Sequence, residues 1–262
     1  MVAVEETVFV GREEELGWLE EQLDRVLGGA GQVAFVTGEA GQGKSSLMDA
    51  FMHRARQEHH ELIAVTGHGN AYTGQGDPYL PFREILQALT GSGATEGSPG
   101  YAGRALAAVV EALVEVGPDL LDIFVPSAGL LQRARGQAPA RSVSALESLV
   151  AARPVAAEGV RLQQGALFAQ VAAVLEAVSR RYPLVLFLDD LQWIDQGSAN
   201  LFLHLGKRLG SSRILLAGAY RPAEVNVLRD GGRHPMQQLI NELRRDRGDI
   251  IRDLSAVEGR AF

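Results

Sequence analysis

The sequence predicts an α/β domain, a doubly wound five-stranded parallel sheet interrupted by a helical insertion. Three observations predict it. Short apolar runs alternate with amphipathic stretches, as expected of strands buried on both faces and covered by crossover helices. One apolar run passes through a glycine-rich turn straight into a helical pattern, and another ends in two adjacent acids. Ligands of such sheets bind beyond the C-terminal ends of the strands, so both turns belong on the same edge.

Residues 11–27 carry Leu16, Leu19, Leu23 and Val26 at helical spacing, with glycines at 28, 29 and 31 to stop the helix. Gln32 to Thr37 reads as the first strand, residues 38–43 as the turn, and Lys44 to about Gln57 as the next helix. A second strand is expected over Glu61 to Thr66, then a helix from Phe82 to Leu89 after Pro78 and Pro81, then a Gly/Ser-rich loop over 90–100. Residues 101–161 read as helical, with breaks at Pro118, Pro126, Pro139 and Pro154 and a mobile stretch near 133–143. A helix over 162–181 leads to the apolar strand Leu184 to Leu188, which ends in Asp189 and Asp190. Helices over 198–209 and 236–247 alternate with strands over 214–219 and 250–254.

Composition excludes several classes. There is no cysteine, so disulfides, thiolate catalysis and zinc–thiolate sites are absent. The net charge is −7, and the only basic cluster, Arg244, Arg245 and Arg247, sits among acids. That argues against direct nucleic-acid binding, which needs concentrated positive charge. Met1 to Val10 carries Glu5 and Glu6 without a basic start, and no apolar run is long enough to span a bilayer. A cytoplasmic protein is expected.

Gly38-Glu39-Ala40-Gly41-Gln42-Gly43-Lys44-Ser45 fits G-x-x-x-x-G-K-[ST] in full. The glycines let successive backbone N–H groups converge on one anion, and the following helix adds its positive end. In this pattern Lys44 serves the β- and γ-phosphates, the Ser45 hydroxyl ligates magnesium, and Ser46 can reach the α-phosphate. A second glycine pattern, Gly29 to Ala34, precedes a strand instead of following one and so lacks the context of a dinucleotide fingerprint. The phosphate loop makes the expected fold that of a P-loop nucleoside triphosphatase, with strand order 5-1-4-3-2.

Such a site needs a carboxylate for the metal shell, and Asp189 fits. Asp190 is placed to polarise an attacking water. Arg221, after the fourth strand, either senses the γ-phosphate or forms a surface salt bridge. Asp195 either orients the acid loop or caps the next helix. His59 and His60 read as a solvated helix end, and His68, His204 and His234 as isolated structural residues. No guanine-reading Asn-Lys-x-Asp occurs, which favours ATP, and no G-x-S-x-G elbow supports hydrolase chemistry of the α/β type.

Four stretches together resemble a known family: Val10-Gly11-Arg12-Glu13 before a helix, PYLPF at 78–82, LVLFLDDLQWID at 184–195 and ILLAGAYR at 214–221. They are similar to AAA-type ATPases of the STAND class, the signal transduction ATPases with numerous domains. The likeness spans nearly the whole chain except about 91–160. It implies a multidomain ATP/ADP switch in which Val10, Gly11 and Arg12 contact the adenine. It further implies lid and effector modules downstream of Phe262, homo-oligomerisation, and weak binding and slow turnover by this part alone. Residues 1–262 are then a single ATPase domain. Its N-terminal helix and adenine-side segment lie in 1–30, its core in 31–90 and 161–255, and its insertion in 91–160. Gln192 stands where the family often has histidine. The rival readings are an ADP/ATP exchange module with negligible hydrolysis and, with less support, a P-loop kinase.

Overall fold

The computed structural model describes residues 11–70, 78–91, 99–152, 163–226 and 234–257. Among these the chain forms helix α1 (Glu13–Leu27), strand β1 (Gln32–Thr37), α2 (Lys44–Glu58), β2 (Ile63–His68) and α3 (Leu80–Leu89). Helices α4 (Pro99–Val116), α5 (Ser127–Gln137), α6 (Ala140–Ala152) and α7 (Gln164–Ser179) follow. Then come β3 (Leu184–Asp189), α8 (Gln196–Arg208), β4 (Ile214–Tyr220), the single-turn α9 (Pro222–Val225), α10 (Pro235–Arg247) and β5 (Ile251–Asp253). All four strand pairings are parallel, and the sheet order is β2-β3-β4-β1-β5. This is the expected order 5-1-4-3-2 read from the other edge, and it puts the β1 and β3 exits on either side of β4.

The strands divide their side chains between two cores, as the period of two demands. Ala34, Val36, Ala64, Val185, Phe187, Leu215, Ala217 and Ala219 face α1 and α2. Val33, Phe35, Ile63, Val65, Leu184, Leu186, Leu188, Ile214 and Leu216 face the larger core under α3, α4, α7, α8 and α10. In β3 and β4 every residue is buried, which is why neither strand shows a polar alternation in sequence. Phe187 is 1% exposed, and truncating it to alanine would cost about 3–5 kcal/mol.

The insertion belongs to the larger core. Leu106, Val109, Val110 and Leu113 of α4, with Leu120, Leu121 and Phe124 beyond it, pack with Val171, Val174 and Leu175 of α7. Polar ties fasten it too: Glu111 accepts from Arg181 at 2.6 Å and Arg133 donates to the Thr90 carbonyl at 2.8 Å. The stretch expected to be mobile, 133–143, is instead the end of α5 and the start of α6, with Ala134 and Ser142 buried. Pro139 breaks the helical pattern as expected, with α5 ending at Gln137 and α6 starting at Ala140; it also opens the second helix, its carbonyl accepting from Ser142 and Val143. Helix α3 begins two residues earlier than expected, and β2 runs two residues further, to His68. The expected loop over 90–100 lies mostly outside the described residues, and α4 already begins at Pro99.

Candidate functional site

The β1 exit is built from backbone. After Thr37 the chain turns through Gly41 and Gly43, both at φ 80°, where a Cβ is strained. Gly43 caps α2, and the Leu47 N–H closes the first turn on the Gly43 carbonyl at 2.8 Å. No acid of α2 itself occupies that first turn, so the helix presents its positive end to the loop. Lys44, 7% exposed, folds back into the loop and donates to the carbonyls of Gly38 at 2.8 Å and Glu39 at 2.9 Å. Burial lowers its pKa from the ordinary lysine range, as does the Arg221 guanidinium, while Asp189, Asp190 and Glu39 oppose the shift. The Gln42 carboxamide accepts from the Glu39 N–H at 2.7 Å and closes the loop on itself. Glu39 in turn accepts from the Ala223 N–H at 3.4 Å, which links the loop to α9. Ala40 and Ser46 are exposed at the rim.

The β3 exit is built from side chains. Asp189 is 6% exposed, and its Oδ2 accepts from the Ser45 hydroxyl at 2.5 Å. Its Oδ1 accepts from the Asp190 N–H at 2.8 Å. Asp190 adopts φ 53°, ψ 41°, the left-handed region that aspartate tolerates better than most residues. This reversal starts a 3₁₀ turn, Leu191–Trp193. Gly218 of β4 makes room for it, since a Cβ there would lie 2.4 Å from Leu191 Cδ1. Asp190 Oδ1 accepts from Gln192 Nε2 at 2.7 Å and faces Arg221 Nη2 at 4.0 Å. Arg221 Nη1 donates to Glu224 at 2.7 Å. Both readings of Arg221 thus keep a foothold, because it neighbours the acid and is salt-bridged to α9. Asp195 is settled as a helix cap: it accepts from the Ser198 N–H at 2.9 Å and from the Ser198 hydroxyl, and it starts α8, a contribution of about 1 kcal/mol.

Loop and acids therefore converge as expected, through the Ser45–Asp189 contact. At the other side of β1, Arg12 donates to Glu15 and to the Leu254 carbonyl, both at 2.9 Å, and Leu254 lies against Gly38. This brings Gly11 and Arg12 to the flank of the phosphate loop; Val10 lies outside the described residues. Two histidines prove less isolated than their sequence positions suggest. His68 ends β2 beside Asp189 in register, and its Nδ1 lies 3.0 Å from Glu84. The hydrogen bond to Glu84 raises its pKa, helped by the charges of Asp189 and Asp190. His234 caps α10, with Nδ1 accepting from the Met236 N–H and Nε2 meeting the Gln192 carbonyl at 3.0 Å. Gln192 lies in the 184–195 stretch but His234 carries no motif signal, and only the fold brings the two together.

A family model described as an AAA ATPase domain matches residues 8–217, most of the chain. The chain belongs to the AAA ATPase domain family. The match ends within β4, so α9, α10 and β5 lie beyond it. An uncharacterized protein, R02095, of Rhizobium meliloti (strain 1021) is 28% identical over 215 residues, covering 82% of this chain and 19% of the relative. The chain thus spans about a fifth of the length of the curated relative it matches. Cdc6p from Pyrobaculum aerophilum gives a TM-score of 0.45 at 15% identity, over 95% of this chain and 46% of that one. No helix among the described residues is long and apolar enough to cross a membrane.

Proposed function

We propose that this AAA ATPase domain is the ATP-hydrolysing switch of a multidomain signalling or transcription-regulating protein of the STAND class, working in the cytoplasm. The observation that carries the reading is the Ser45–Asp189 contact beside Lys44. It brings a hydroxyl and a carboxylate, both hard oxygen donors, to the open end of a phosphate loop. Such a pair suits Mg2+, which takes one or two protein oxygens and completes its shell with phosphate and water. Ser45 and Asp189 would hold it, and when bound it neutralises the charge developing on the β- and γ-phosphates.

The chain's own groups do the rest. Backbone N–H groups of residues 38–46 cradle the phosphates, and Lys44 exchanges the Gly38 and Glu39 carbonyls for β- and γ-phosphate oxygens. A water oxygen bonds to Pγ while the bond from Pγ to the β–γ bridging oxygen breaks, and the electron pair leaves with ADP. Asp190 takes the proton from that water and returns it to solvent. Arg221, within electrostatic reach of Lys44 and Asp190, senses the γ-phosphate once it leaves Glu224. Val10, Gly11 and Arg12 line the adenine side. The lid, effector and oligomer contacts of the class would come from outside residues 1–262.

Asp190→Asn tests the reading in single-turnover assays with magnesium. Turnover falls at least about 100-fold while ATP affinity stays within about threefold. Unchanged turnover would leave the exchange module, in which bound ADP is the signal, as the better account.

A further inference from the structure

We propose that Gln192 is a positioning residue for Asp190, tying the water-activating acid to the end of β4; this rests on the hydrolysis reading above. Gln192 is completely buried. Its carboxamide has one end that only accepts and one that only donates. The Arg221 backbone N–H can only donate, and it lies 3.2 Å from Oε1. The amide orientation is therefore fixed, and Nε2 faces the acceptor Asp190 Oδ1 at 2.7 Å. The main chain of Gln192 is held as well, because His234 Nε2 meets its carbonyl at 3.0 Å while His234 Nδ1 accepts from the Met236 N–H at 3.2 Å. That pair of bonds requires the tautomer with its proton on Nε2.

A buried glutamine serving packing alone would satisfy its donor on another buried group. This one spends it on a carboxylate whose side chain is 42% exposed. Asp190 sits in a left-handed conformation, with no second turn of helix to hold it. With Oδ1 engaged by Gln192 and faced by Arg221, Oδ2 has no protein partner among the described residues. One carboxylate oxygen is anchored and the other is free to accept a proton from water. The anchor also joins the β3 exit to the residue that begins α9. Movement at Arg221 is thereby carried to the acid through a single amide.

The test uses two substitutions of nearly equal volume in the full 262-residue chain. Gln192→Met keeps the shape and removes the hydrogen bonds. Gln192→Glu keeps the acceptor but donates only when protonated. Turnover of ATP is followed from pH 5 to 9 beside equilibrium ATP affinity. Gln192→Met lowers kcat about 10- to 100-fold, the range for groups that orient a reacting side chain, with ATP affinity within about twofold. The Gln192→Glu to wild-type ratio rises as pH falls, because the protonated carboxyl again donates to Asp190, while the Gln192→Met ratio stays flat. A Gln192→Met enzyme with wild-type kcat overturns the proposal, as does a Gln192→Glu ratio that does not move with pH. If Gln192→Met does not fold, the Gln192→Glu ratio decides alone. A wild-type chain with no turnover sinks the hydrolysis reading, and this proposal with it, and that outcome is visible before any variant is compared.

Discussion

The β1 and β3 exits lie two strands apart on one edge of the sheet, yet they are built from different materials. The β1 exit positions backbone: two glycines at φ 80°, a helix start without acids and a lysine turned onto loop carbonyls. The β3 exit positions side chains: a buried aspartate on a serine hydroxyl, then a left-handed aspartate held by a buried glutamine. The first arrangement is local, closing within eight residues. The second is assembled from β3, β4 and the start of α10. Substitutions should separate the two, with the β1 exit sensitive to added atoms and the β3 exit to lost functional groups.

The largest effect is expected at the join. Asp189→Ala removes the partner of the Ser45 hydroxyl and a buried carboxylate. Magnesium-dependent turnover should drop about 100-fold or more, since metal-based charge stabilisation supplies several kcal/mol, while magnesium-free nucleotide affinity changes little. Equal losses with and without magnesium would erase the distinction between the exits.

Gly43→Ala comes next. It adds one carbon at φ 80° and costs about 1–2 kcal/mol, seen as about tenfold weaker ATP binding together with a lower Tm. An Asp190→Asn chain should instead keep its Tm, because asparagine tolerates the left-handed backbone as aspartate does and its Oδ1 still accepts from Gln192. If Gly43→Ala left affinity and melting unchanged, the loop would not depend on its backbone shape.

The smallest effect concerns the β2 end. His68 has its pKa raised mainly by the hydrogen bond to Glu84. The His68 contribution is therefore fully present below its unfolded pKa and fades as pH rises through the folded value. The Glu84 pKa is lowered by His68 against the opposing effect of burial, so its contribution is lost as pH falls through the folded value. The pair should stabilise most between the two ranges, at mildly acidic pH. Both side chains are more than a third exposed, so the gain is at most about 0.5–1 kcal/mol and is screened by salt. Melting of Glu84→Gln against wild type across pH 4–9 checks this. A difference that persists undiminished at pH 9 would contradict it.

The same contrast explains what the sequence made legible. The phosphate loop is contiguous, and its glycines are required by backbone shape, so residues 38–45 could be read directly. Asp189 and Asp190 were legible because a fully apolar strand ends on them. The parallel sheet followed from strand-helix alternation, and its order from the fold that the phosphate loop implied. The Gln192 link was not legible, since its partners lie at 190, 221 and 234 and no periodicity relates them. His68 looked isolated for the same reason: Glu84 reaches it only when α3 folds back on β2. The break at Pro139 was legible because proline cannot continue a helix, whereas the burial of Ala134 and Ser142 around it was not, since it depends on packing that one sequence does not display.

The central claim is that the loop at 38–45 binds nucleotide phosphate through Lys44. Titration of ATP with and without magnesium into wild type and Lys44→Ala tests it most directly. The account predicts at least about tenfold weaker binding for Lys44→Ala, from the loss of charge-assisted hydrogen bonds of about 1.5–3 kcal/mol, with the melting temperature retained. Equal affinity in the two chains would contradict it.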